Sequence, residues 1–204
     1  EPVQRADTRQ QAGHGCGHNL FGASIVGAAI AVQSAMKEHN IVGTLRVYGC
    51  PAEEGGCGKA YLIRRGEMKD VDLALHWHPG ASNSAKMKSS LAIVRFRVRF
   101  TGKSTHAAGS PHLGRSALDG VELMNTGVNF LREHVPTTSR IHYVITDGGK
   151  RPNVVPETAE SWYYIRAPKM AEARAIFERV KNIAAGAALM SETKQEIRMV
   201  TGSY

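Results

Sequence analysis

Cysteine is scarce in this sequence and unsuited to cross-linking: there are three, Cys16, Cys50 and Cys57, an odd number with no CxxC spacing. That excludes a disulfide framework and leaves free or metal-bound thiols, which suit a reducing compartment. Long apolar runs are also lacking. Leu73-Ala74-Leu75 and the stretch from Ile183 to Met190 are short or interrupted by Gly or polar residues, so no membrane span is expected. Glu1-Pro2-Val3-Gln4-Arg5 has neither an initiator Met nor a charged-then-apolar signal pattern, which makes the cytoplasm the expected setting. Nor is there a Lys/Arg block. The net charge of +8 is spread along the chain, so a generally basic surface is the expectation and a nucleic-acid partner is not.

What is present is ordinary globular material: 204 residues, 42% hydrophobic and 22% charged, enough for one large or two small cores. Residues 1–13 are polar and aperiodic, and predict a loop. Leu20, Ala23, Val26, Ile30 and Ala31 recur at helical spacing up to Met36, with Asn19 at the expected N-cap. Thr44 to Tyr48 then predicts a strand, Lys59 to Arg65 a helix and Val71 to Leu75 a buried strand, an order that implies a parallel sheet. The turn-rich stretch from Pro79 to Ser84 is the expected hinge between two domains, 1–88 and 89–204.

The second domain opens on strict alternation, with Val94, Phe96, Val98 and Phe100 on one face and Arg95, Arg97 and Arg99 on the other. Ser116-Ala117-Leu118-Asp119 has capping-box form ahead of the stripe Leu118, Val121, Met124, Val128 and Leu131. Strands are predicted over Ile141 to Thr146 and Thr158 to Ile165. Pro168 then opens a helix carrying Met170, Ala173, Phe177, Val180 and Ala184, before a last strand from Glu196 to Thr201. The order βαββαβ is ferredoxin-like.

Three clusters carry chemistry. In His14-Gly15-Cys16-Gly17-His18, a thiol and an imidazole two residues apart are flanked by glycines that let the backbone wrap an ion, at a helix N-terminus whose dipole favours thiolate. Glu53 and Glu54 follow a predicted strand, at the sheet edge where open α/β sheets bind ligands; adjacent carboxylates point apart, so one can hold a metal while the other acts as a base. His76-Trp77-His78 lies beyond the next strand, where either His could reach an ion. Alone, each has a bland reading: a buried thiol, a solvated acidic turn, a satisfied imidazole. Three at the same edge of one unit point to a metal site.

These residues resemble the M20 metallopeptidases, in the amidohydrolase branch that includes the p-aminobenzoyl-glutamate hydrolases. The likeness rests on Gly13 to Leu20, Pro51 to Gly56, His106-Ala107-Ala108 with Ser110 to Asp119, and Pro152-Asn153-Val154-Val155-Pro156, in that order along nearly all of the chain. It implies a partial aminopeptidase-like α/β catalytic domain followed by a ferredoxin-like lid that also dimerises. It further implies metal ligands Cys16, His18 and Glu54, with Glu53 as general base. Counted from Asp72, the family's ligand falls six residues on and selects His78 over His76. His106 corresponds to a lid histidine that contacts substrate in the neighbouring subunit's site, and Asn153 and Arg166 match substrate-holding positions.

The reaction implied is hydrolysis of the amide of a small anionic N-acyl amino acid, p-aminobenzoyl-glutamate foremost. It would use two divalent ions, manganese or zinc, in a homodimer or with a second related subunit. The resemblance also implies a chain about twice this length, with a further His ligand that has no counterpart before Tyr204, so a catalytically incomplete, dimerising module is the competing expectation. A βαββαβ RNA-binding module is the other. The arginine face of residues 95–99 suggests it, but the aromatic pattern such modules need is not seen, and a solvated basic face is the simpler expectation.

Overall fold

The computed structural model describes residues 14–85 and 89–200. Contacts among these separate two units, one of residues 14–53 and 58–85, the other of 54–57 and 89–200. The first unit is built on α1 (His18–Glu38), two residues longer than expected at each end. Its start differs from the sequence expectation. Gly17 holds the N-cap in the left-handed region at φ 76°, with no side-chain cap, and Asn19 lies inside the first turn. Glycine takes that conformation without the Cβ clash that penalises other residues, so it displaces asparagine from the capping position. After α1 come α2 (Glu53–Gly56) and α3 (Gly58–Arg65), which ends on Gly66 at φ 84°.

The parallel sheet predicted for this unit is not formed among the described residues. Residues 44–48 and 71–75 form no strand, leaving Leu45 45%, Val47 51%, Leu73 74% and Leu75 81% exposed. An apolar run signals burial on both faces, whereas a strand exists only if a neighbour supplies its ladder. Side chains hold the first segment instead. Arg46 makes two hydrogen bonds to Asp70, at 2.7 and 2.5 Å, and the Tyr48 hydroxyl donates to the Glu67 carbonyl at 2.6 Å.

Helix α1 also departs from expectation. It is long and apolar enough, by length and composition, to cross a membrane, and none of its residues is buried. The core helix of a soluble protein passes the same test. Two contacts give α1 a protein-facing side: Trp77 Nε1 donates to Ser24 Oγ, and the Phe21 ring meets the Trp77 ring edge-on at 5.0 Å.

The second unit has the expected βαββαβ order: β1 (Ala92–Thr101), α4 (Ala117–Leu131), β2 (Arg140–Asp147), β3 (Thr158–Ala167), α5 (Met170–Met190) and β4 (Lys194–Met199). The sheet runs β2-β3-β1-β4 with all neighbours antiparallel. Alternation in β1 decides its orientation. Phe96, Val98 and Phe100 are fully buried in one core with Val121, Met124 and Val128 of α4 and Ala173, Val180 and Ala184 of α5. Burying each such Val or Phe side chain stabilises the fold by roughly 1.5–3 kcal/mol. Gly120 lets α4 approach closely, since a Cβ there would lie 2.5 Å from the Phe100 ring. Inside this core Asn125 Oδ1 accepts hydrogen bonds from Ser161 Oγ and the Tyr163 hydroxyl, so these buried polar groups are satisfied, and burial pushes the Tyr163 phenol pKa up.

The opposite face is less solvated than its arginines suggest. Arg95 is 7% exposed, its guanidinium 5.2 Å from the Tyr164 ring centroid. Arg97 lies 4.5 Å from the Trp162 centroid and pairs with Glu160 at 2.5 Å. β3 places an aromatic opposite each of these arginines, Tyr164 across from Arg95 and Trp162 across from Arg97. Stacked guanidinium groups are more easily desolvated than ammonium groups. Burial of Glu160 acts to raise its pKa, but hydrogen bonds from Thr146 and Arg97 outweigh it and hold the carboxyl below its ordinary value.

Two measurements test this packing. Ser116 Oγ accepts from Asp119 N at 3.2 Å as the α4 N-cap, and Ser116→Ala should cost about 1 kcal/mol in denaturant unfolding. His142 is held below its ordinary pKa of 6.5 by burial, then by Arg166, Arg132 and Arg140. The unfolded chain therefore takes up this proton first as pH falls. The contribution to stability is present above about pH 6.5 and lost as pH falls through the folded value. His142→Gln should reduce the drop in Tm on acidification through that window; an unchanged drop excludes His142 as its source.

Candidate metal centre

Within the first unit, candidates from two distant parts of the sequence converge. The chain turns through Gly15-Cys16-Gly17 into α1, which puts Cys16 just before the helix and His18 at its first position. His78, 62 residues on, brings Nε2 to 3.1 Å from Cys16 Sγ. Its Nδ1 lies 2.9 Å from the Pro79 carbonyl oxygen. A carbonyl only accepts, so the ring proton sits on Nδ1 and the Nε2 lone pair faces the sulfur. That is the orientation of a metal-binding imidazole whose other nitrogen is anchored by the backbone. Tetrahedral zinc holds sulfur and nitrogen ligands about 3.5 Å apart, so the pair fits such an ion with an opening of a few tenths of an ångström.

His18 Nε2 lies 3.5 Å from Glu53 Oε2, with the two side chains 32% and 41% exposed. His76 is exposed and makes no hydrogen bond or ion pair among the described residues. Sequence patterning does not single out Phe21. Its ring lies 4.7 Å from His18, 5.0 Å from Trp77 and 5.6 Å from His78, so it is the apolar surface against which both imidazoles are set. The available signal is its position three residues after His18, one helical turn on.

Glu54 follows Glu53 in α2 and is counted with the second unit. Its backbone carbonyl accepts a hydrogen bond from Arg95 Nη1 at 3.4 Å. Ala52 and Cys57, on either side of α2, are both left-handed at φ 55° and 52°, conformations that non-glycine residues rarely hold without a fixed surrounding.

In the second unit two further candidates meet. His106 forms an isolated antiparallel bridge with Val154, and Ala107 N donates to the Asn153 carbonyl at 3.0 Å. His106 Nδ1 accepts from Ala108 N at 3.2 Å and Gly109 N at 3.0 Å, so the proton of the neutral ring is on Nε2, which is left as a donor on an exposed side chain. Arg166 is not brought to them. It lies beside Ile93 and Arg140 near one end of β3, whereas the loop holding His106 and Asn153 adjoins the other end, roughly 27 Å away at the rise of a strand.

Residues 90–190 match the model of the peptidase dimerisation domain of M20 enzymes. The chain belongs to the M20 peptidase family. It is 53% identical over 187 residues to the B subunit of p-aminobenzoyl-glutamate hydrolase from Escherichia coli, covering 91% of this chain and 39% of that protein. It is 34% identical over 194 residues to the Xaa-Arg dipeptidase of Mus musculus, covering 94% and 45%. The chain thus spans less than half the length of these relatives. A solved amidase of the hydantoinase/carbamoylase family from Burkholderia multivorans has the same fold over 54% of this chain and 28% of its own, with a TM-score of 0.51 and 18% identity.

The tautomer of His106 is directly measurable. Its ring nitrogen shifts in NMR spectra at neutral pH should report Nε2–H; an Nδ1–H signature would mean that the two backbone bonds are not made.

Proposed function

We propose that the full-length protein is a metal-dependent amidohydrolase that cleaves the amide of an anionic N-acyl amino acid, with p-aminobenzoyl-glutamate as the substrate. The observation that carries this reading is the approach of the His78 Nε2 lone pair to Cys16 Sγ at 3.1 Å, with Nδ1 anchored on the Pro79 carbonyl. Members of this family generally depend on divalent metals, and Cys16, His18, Glu54 and His78 would hold them. The thiolate and imidazoles suit zinc, and the carboxylate also suits manganese in a two-ion site. Bound there, the ions would polarise the scissile carbonyl and make water more acidic.

The remaining chemistry falls to side chains. Glu53 takes a proton from the attacking water and returns it to the leaving amine nitrogen. Its carboxylate is set 3.5 Å from the His18 imidazole. His106, donating through Nε2–H, supports the developing oxyanion or a substrate carboxylate from a partner's lid, with Asn153 beside it. Arg166 is a guanidinium suited to a substrate carboxylate. Relatives include both kinds of chain of one two-component hydrolase, which supports assembly with a second copy or with a related chain. The three free cysteines fit a reducing compartment, and we place the protein in the cytoplasm. The dimerising-module reading is favoured by the dimerisation-domain match over residues 90–190.

In the full-length protein, Glu53→Ala should lower turnover by about 10²–10⁴-fold while metal content survives. Cys16→Ala and His78→Ala should each lose metal on dialysis, and His76→Ala should keep it. Metal loss in His76→Ala alone would reverse the ligand assignment, and wild-type turnover in Glu53→Ala would remove that residue as the base.

A further inference from the structure

Arg95 is buried at 7% exposure on a sheet face that the sequence suggests is solvated. Two of its contacts bear on the Glu54 segment. Its guanidinium rests over the Tyr164 ring at 5.2 Å, and Nη1 donates at 3.4 Å to the carbonyl of Glu54, a residue 41 positions away. Arg97, the next residue on that face, differs in kind, because its partners Trp162 and Glu160 both belong to the adjacent strand. Arg97 completes the sheet, whereas Arg95 ties the sheet to the short turn that carries Glu54.

That turn is otherwise fixed at its ends. Ala52 and Cys57 hold left-handed backbone at φ 55° and 52°, Cys57 is 8% exposed, and a Cβ on Gly58 would meet the Pro51 carbonyl oxygen at 2.0 Å. Between Ala52 and Cys57 lie the four residues of α2. A charged donor on the Glu54 carbonyl restrains that peptide, and the direction of the peptide sets where its side chain is presented.

We propose that Arg95 is a positioning residue for Glu54: propped on Tyr164, its guanidinium holds the Glu54 peptide and so fixes how the Glu54 carboxylate is offered to a divalent cation. The proposal rests on the reading of Glu54 as a metal ligand.

The test uses the full-length protein loaded with Co²⁺ alone, read by chelator competition and by the visible d–d absorption of the bound ion. Arg95→Met should weaken Co²⁺ binding by about 10- to 100-fold, the usual effect of removing an outer-shell partner, and should alter the d–d bands. Arg95→Lys, which keeps a cationic donor, should recover part of both. Arg97→Met should leave both at the wild-type level. Wild-type affinity and spectrum in Arg95→Met overturn the proposal, and so does an equal loss in Arg97→Met, which would mean general loosening of the sheet. If Arg95→Met does not fold, Tyr164→Leu decides: removing the prop should weaken Co²⁺ in the same direction, and an unchanged affinity overturns the proposal. Unaltered Co²⁺ binding by Glu54→Gln would instead remove Glu54 as a ligand, whatever the Arg95 variants do.

Discussion

The alternation of β1 governs the second unit. As an interior strand it pairs with β3 on one side and β4 on the other, so both ladders take their register from it. Its period of two sends Phe96, Val98 and Phe100 under α4 and α5 and Arg95, Arg97 and Arg99 to the other face. A slip of one residue would exchange the faces and place three guanidinium groups in an apolar core, an error that costs far more than any local preference of turn or helix could offset. The placing of His106 and Asn153 beside one end of β3, and of Arg166 near the other, follows from this register.

The first unit obeys a different constraint. Its helices are specified locally, but the apolar segments 44–48 and 71–75 are not self-sufficient, because a strand needs a neighbour to complete its hydrogen bonds. What fixes the candidate centre there is a set of side-chain contacts across long sequence separations. Cys16 meets His78, His18 meets Glu53, and Phe21 gives both imidazoles a common surface. Gly17 makes this possible by turning the chain in a left-handed conformation between the thiol and the helix.

The two faces of the second unit's sheet illustrate how side-chain chemistry modifies a pattern. Alternation correctly separates apolar from basic residues in β1, but it carries no information on what lies across the ladder. Trp162 and Tyr164 of β3 supply π-faces, Glu160 supplies a carboxylate, and the face that a charge count calls solvated becomes partly desolvated. Arginine tolerates this because its charge is spread over a planar group that can stack and donate at once.

Period and local chemistry were enough to read the βαββαβ order, the buried face of β1, the Ser116 cap, and the three clusters of ligand-type residues from the chain alone. These are properties of neighbouring residues, so spacing reveals them. Features that depend on partners distant in the chain emerged only in three dimensions. Folding buried Arg95 over Tyr164, separated Arg166 from His106, left residues 44–48 and 71–75 without a ladder, and set against Cys16 the His78 that local spacing alone leaves level with His76 and only the family count selects. The reason is physical: hydrophobic periodicity says which side of an element wants burial, whereas hydrogen-bond and ligand geometry depend on which other segment arrives, and that is written nowhere in the local pattern.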